Sequence, residues 1–137
     1  MLAHCQEIVR RPAGPADDGF LRALFAEGRD DLVLLPTDVR DTLLDMQFRA
    51  RRRQHAADHP QATHEILAVD GTDVGVLVLD QDSERVHVVD LVVAHAHRRR
   101  GIATGALRDV TAEAGSREVT IAHRRVASHR TASRDYP

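Results

Sequence analysis

The chain has no tryptophan and no lysine, a single cysteine, a single tyrosine and three phenylalanines. Each scarcity removes a class of function. Without lysine there is no Schiff-base chemistry, no catalytic ammonium side chain and no phosphate-loop lysine, so all 19 basic residues are arginines. Cys5 has no partner for an internal disulfide and cannot build a cysteine-based metal site. The few aromatic rings argue against single-stranded nucleic acid, which is held by stacking platforms. No run approaches the roughly 18 to 20 apolar residues that span a bilayer. Met1 to Glu7 carries neither a basic segment nor a long apolar one, so no signal peptide is expected. A reducing, cytoplasmic setting follows as the simplest expectation.

What is present is ordinary globular material. The 137 residues are 42% apolar and 29% charged, enough for one domain with its own core. The net charge of −2 conceals two halves. Residues 1–84 hold 16 acidic residues and 9 arginines, a balance of −7, and residues 85–137 hold 5 and 10, a balance of +5. The second half is expected to meet an anion. Part of the arginine richness is discounted, because the Arg, Ala, Val and Asp bias reads as a GC-rich coding background.

Hydrophobic periodicity orders the chain. Cys5 to Arg10 reads as a short strand, stopped by Pro12, Gly14 and Pro15. A helix follows from near Gly19, capped by Asp17 or Asp18, with Phe20, Leu21, Leu24 and Phe25 on one face and Gly28 at its end. Residues 30–36 form a short apolar connection. A second helix starts at Thr37 or Asp38, with Val39, Leu43, Met46 and Ala50 at helical spacing and Leu44 and Phe48 alongside, and runs towards Ala57 with Pro60 as its limit. The period then changes to two. His64 to Val69, Val74 to Leu79 and Val86 to Val93 form a three-strand meander, its first turn the hairpin dipeptide Asp70-Gly71. Gly101 to Ala114 reads as a helix ended by Gly115, and Glu118 to His123 as a last strand. This order predicts an α/β or α+β sheet flanked by helices, with a right-handed crossover near its end.

The chemistry concentrates in one stretch, Leu91-Val92-Val93-Ala94-His95-Ala96-His97-Arg98-Arg99-Arg100-Gly101-Ile102-Ala103-Thr104. A buried strand leads into a basic loop, and glycine and small residues open a helix. Unpaired N–H groups in the first helical turn, the helix dipole and nearby guanidinium groups together suit a phosphate. Gly101 permits close backbone approach, and Ala103 keeps the turn free of bulk. The plainer alternative is a solvated arginine loop between a strand and a helix. Neither G-x-G-x-x-G nor the phosphate-loop pattern G-x-x-x-x-G-K-[ST] is present.

Arg98-Arg99-Arg100-Gly101-Ile102-Ala103 resembles the [Q/R]-x-x-G-x-[G/A] motif of the GNAT superfamily of N-acetyltransferases. It follows the strand that family would place before it, and the order of elements over about residues 5–123 is also similar. The run Asp31-Leu32-Val33-Leu34-Leu35-Pro36, the helix around Met46-Gln47-Phe48 and the hairpin Val69-Asp70-Gly71 resemble one bacterial branch of small GNAT proteins. The resemblance implies a mixed, mainly antiparallel sheet, and acetyl-CoA as the donor co-substrate with no metal. It places the pantetheine arm along the backbone of Leu91, Val92 and Val93, at a splay between strands 86–93 and 118–123. The pyrophosphate falls on the loop from Arg98 through Arg99, Arg100, Gly101, Ile102 and Ala103, with Thr104.

In such a family the protein mainly aligns thioester and amine, while a base accepts the amine proton. Asp90, a carboxylate in an otherwise apolar strand, is the expected base. The alternative is an outward-facing polar residue, because simple alternation sets Val89 and Leu91 on the opposite face. His87 is a weaker candidate, His95 and His97 beside the expected phosphates suit a cofactor-side or plain surface role, and His55, His59 and His64 lack metal-like clustering with carboxylates. The resemblance breaks down at the C-terminal end, where a further helix with an acid tyrosine and two strands would follow. Residues 124–137 instead read as a basic, loosely attached tail after a domain at 1–123, and Tyr136 is not assigned the acid role. The expected function is transfer of an acetyl group to a small-molecule or peptide amine, impaired by the shortened end, or else a non-catalytic coenzyme A or partner-binding relative. A homodimer that covers an open sheet edge is one way to complete the fold. An arginine-patch nucleic-acid binder ranks last.

Overall fold

The computed structural model describes residues 7–122. Five strands form one sheet in the order β1–β2–β3–β4–β5. They are β1 (Ile8–Pro12), β2 (Thr63–Val69), β3 (Thr72–Gln81), β4 (Arg85–Val93) and β5 (Glu118–Ile121). All neighbours are antiparallel except β4 and β5, which are parallel and joined by a crossover helix. Three α-helices are described: α1 (Asp18–Glu27), α2 (Thr37–Asp58) and α3 (Ile102–Ala114). The mixed sheet with flanking helices is the fold class expected from the sequence.

Local chemistry explains most boundaries. Asp70 and Gly71 both take positive φ, 53° and 79°, the geometry whose twist matches a two-residue hairpin. β1 begins three residues later and ends two residues later than periodicity suggested. It pairs Ile8 with Val69 and Pro12 with Glu65, and a sheet edge tolerates the missing proline N–H. Cys5 and Gln6 fall outside the described residues, as does His123 at the expected end of β5. The apolar connection at 30–36 is partly a 3-10 turn, with Leu32 buried and Leu34 92% exposed.

Two cores flank the sheet. Ile102, Ala106, Val110 and Ala114, each one helical turn apart, bury α3 against Leu77, Leu79, Val86 and Leu91. On the other face Val76, Val78 and Ala94 meet Leu24 of α1, with Phe20, Leu21, Val89 and Val92 alongside. Helix α2 corrects the sequence reading. Val39, Met46 and Ala50 are exposed, and the inward stripe is Leu44, Phe48, Arg51 and His55. Apolar periodicity missed that stripe because half of it is polar.

Candidate active site

Strand β4 is irregular where it matters. Val78 of β3 pairs with Asp90 and Leu79 with Val88, so Val89 is an extra residue bulged out of the ladder. Val86 and Val88 face α3; after the bulge, Leu91 and Val93 do so. Val89 therefore packs on the α1 side with Val92, and does not oppose Asp90 as simple alternation required. Among the described residues, pairing of β4 with β5 runs from Arg85 to Val88, and Ala122 N–H bonds Val88 O at 3.0 Å. The residues that would lie beside Val89–Val93 follow Ala122, so the splay expected there lies outside the described residues.

The bulge aims Asp90 inward, where it is 6% exposed. Its Oδ1 accepts the Leu91 N–H at 3.1 Å, and its Oδ2 accepts from Arg51 of α2 at 2.7 Å. The outward-facing alternative for Asp90 is thereby set aside. Above this pair lies a cavity of about 990 Å³ between α1, α2 and the β3–β4 face. Phe25 and Phe48 line it with ring centroids 5.8 Å apart, and the Arg51 guanidinium lies 5.9 Å from the Phe25 centroid. Arginines 29, 51, 52, 53 and 98 line it against only three carboxylates, Asp18, Asp30 and Asp90. The wall is therefore net cationic. Arg29 is bound to Asp31 and to the Gln47 side chain, and Arg52 to Asp18 at 3.0 Å.

His55 and His64 line the same cavity, with rings 6.4 Å apart. Desolvation lowers the pKa of both. Arg51 lowers His55 further and Arg52 lowers His64, while Asp90 pulls each back up. Both imidazoles are thus held neutral near pH 7, as groups able to accept a proton. The absence of metal-like spacing had left them without a role. Among the described residues, no group of three or more His, Cys, Asp or Glu side chains could hold a metal ion.

On the far side of β4 the chain turns through a short 3-10 segment, His95–His97, tied to α1 by the His95 N–H on Glu27 Oε1 at 2.8 Å. Arg98 Nε anchors to Val93 O at 3.1 Å. Arg99 and Gly101 then take positive φ, 67° and 79°. The helix begins at Ile102, one residue after the expected start, and its first turn has no side-chain cap and no acidic residue. A Cβ built on Gly101 meets nothing within 4 Å, so the backbone there faces open space. Arg98, Arg99, Arg100, Gly101 and Thr104 are exposed, Ala103 is half-buried, and the Ile102 side chain is in the core. Leu91 and Val93 also send their side chains into the α3 core, leaving only their backbone for a ligand. Of the expected site residues, Asp90, Val92 and Arg98 meet at the cavity.

A mixed sheet with a bulged β4, followed by a basic turn and an uncapped helix, has the form of an acyltransferase-type α/β fold. The chain belongs to the acetyltransferase (GNAT) family, whose model matches residues 29–136. That match continues past residue 123, where the resemblance had been read to end. An acetyltransferase from Thermus thermophilus is similar in structure, with a TM-score of 0.55, 18% identity and coverage of 84% of this chain and 74% of that one. The PaiA N-acetyltransferase from Thermoplasma acidophilum, solved in complex with coenzyme A, gives 0.54 and 10%, covering 80% and 72%. A ribosomal-protein-alanine N-acetyltransferase from Brucella melitensis biovar Abortus 2308 gives 0.52 and 20%, covering 88% and 83%. At these identities the likenesses show the fold alone. No curated protein matches the sequence.

Proposed function

We propose that the chain is an acetyl-CoA-dependent N-acetyltransferase acting on an amine held in the α1–α2 cavity. The observation that carries the reading is the two-sidedness of β4. The end of β4 after the Val89 bulge leads to the uncapped start of α3, while Asp90 and Val92 of the same stretch line the cavity. The first-turn N–H groups of Ile102, Ala103 and Thr104, which have no side-chain cap, with Arg99 and Arg100, suit the pyrophosphate of the donor. The backbone of Leu91, Val92 and Val93 would flank the pantetheine arm. The amine nitrogen bonds to the thioester carbonyl carbon as the C–S bond breaks. The amine gives up one proton, and the departing thiolate takes up one. Asp90 is the proposed proton acceptor at the amine.

A second assignment of the base has its own observation. Asp90 is bound to Arg51, whereas His55 and His64 are held neutral in the same wall. A thiol-release assay with acetyl-CoA and an amine panel tests both points. Turnover is expected, with Asp90→Asn lowering kcat about 10²- to 10⁴-fold and His55→Gln less than tenfold. The reverse ranking transfers the base to His55. Tight coenzyme A binding in calorimetry, with no turnover of any amine, makes the chain a non-catalytic relative instead.

A further inference from the structure

We propose that the cavity selects a free α-amino acid with a bulky apolar side chain, an inference that rests on the acetyltransferase reading. The Arg51–Asp90 pair, 2.7 Å apart with side chains 33% and 7% exposed, presents a cation and an anion side by side. An α-amino acid carries the complementary pair, an ammonium and a carboxylate separated by one carbon. Its ammonium donates to Asp90 while its carboxylate accepts from Arg51, so each group exchanges one opposite charge for another. No charge is left buried and alone, which is the costly outcome when one partner of such a pair is removed.

Other amines fare worse by the same accounting. An ammonium without a carboxylate draws Asp90 from Arg51 and leaves the guanidinium uncompensated. A polyamine meets a wall with more arginines than carboxylates. A peptide N-terminus or a lysine side chain has a neutral amide or a methylene where the carboxylate is needed. The position of the aromatic pair completes the class. Phe25 lies under the Arg51 guanidinium and stacks obliquely on Phe48, with Leu21 and Leu24 beside it. A side chain extending from the anchored α-carbon thus has an apolar wall next to the carboxylate site.

The test compares L-phenylalanine, L-phenylalaninamide and spermidine as acceptors of acetyl-CoA by thiol release. The full chain is expected to favour phenylalanine over its amide by about 10- to 100-fold in kcat/KM, the worth of a charge-assisted pair, with spermidine poorer still. Arg51→Gln should bring the ratio towards one, and Arg51→Lys should restore part of it. Equal or better use of the amide, or turnover of spermidine alone, overturns the substrate class while leaving acetyl transfer intact. Binding is read separately by NMR titration of N-acetyl-L-phenylalanine and N-acetyl-L-phenylalaninamide onto the chain with coenzyme A. Selective binding of the acid without any turnover supports the pocket and sinks the catalytic reading. Equal binding of both, or of neither, overturns the proposal.

Discussion

At the scale of single residues, two glycines in similar company have opposite prospects. A Cβ on Gly75 of β3 would sit inside the contact radius of the Val92 carbonyl oxygen, a backbone atom that cannot step aside. Gly75→Ala should therefore push β4 away at the cavity floor. The expected loss is about 1–3 kcal/mol, the usual cost of overpacking, read as a lower urea midpoint, with kcat/KM falling as well. Gly105 of α3 meets only the Cδ1 of Ile8, at 2.9 Å. That atom ends a flexible side chain, and alanine favours a helix interior by about 1 kcal/mol. Gly105→Ala should leave stability almost unchanged, and a loss as large as that of Gly75→Ala would refute the distinction. The importance of Gly75 was not visible in the sequence, where it is one small residue in an apolar run. Its meaning comes from a strand paired with it 18 positions later.

At the scale of elements, α3 was the most legible and α2 the least. The run from Ile102 to Ala114 repeats an apolar residue every fourth position and ends at a glycine, so both its face and its limit could be read. Its N-terminal turn also gives the clearest test of the donor site. Thr104→Glu places a carboxylate where the pyrophosphate is expected, yet an acid in a first helical turn stabilises the helix. Coenzyme A affinity should fall at least tenfold in calorimetry with no drop in melting temperature. Unchanged affinity would move the donor away from this turn. Helix α2 was placed correctly, but its inner face was not, because Arg51 and His55 count as polar and the exposed Val39 and Met46 count as apolar. A helix that walls a cavity obeys chemistry the hydrophobic period does not describe.

At the scale of the molecule, the acid side of neutrality should be the weak one. His55, His64 and His87 all have pKa values lowered first by desolvation. Asp17, Asp31 and Asp82 are lowered too, by hydrogen bonds from Arg11, from Arg29, and from the Glu84 and Arg85 N–H groups. In each case the unfolded chain binds the proton more readily. Stability contributed by the histidines is complete above their unfolded pKa of about 6.5 and drains as pH falls towards their folded values; the carboxylates follow below about 4. Urea midpoints should thus drop between pH 7.5 and 5.5, and His55→Gln with His64→Gln should flatten that slope. A wild-type midpoint that rises over this interval would contradict the assignment.

The chain by itself determined its elements and marked out the loop proposed for the donor. Alternation, helical spacing, a hairpin dipeptide and the run from Arg98 to Thr104 are local signals, because strands, turns and helix starts are governed by residues a few positions apart. It also singled out Asp90 as a carboxylate misplaced in an apolar strand. Only the tertiary structure decided what surrounds Asp90. The Val89 bulge depends on pairing with β3, the Arg51 partner comes from 39 residues upstream on another element, and the cationic cavity exists only once α1 and α2 close over the sheet. Charge pairing and enclosure are properties of distance in space, and the order of residues along the chain does not carry them.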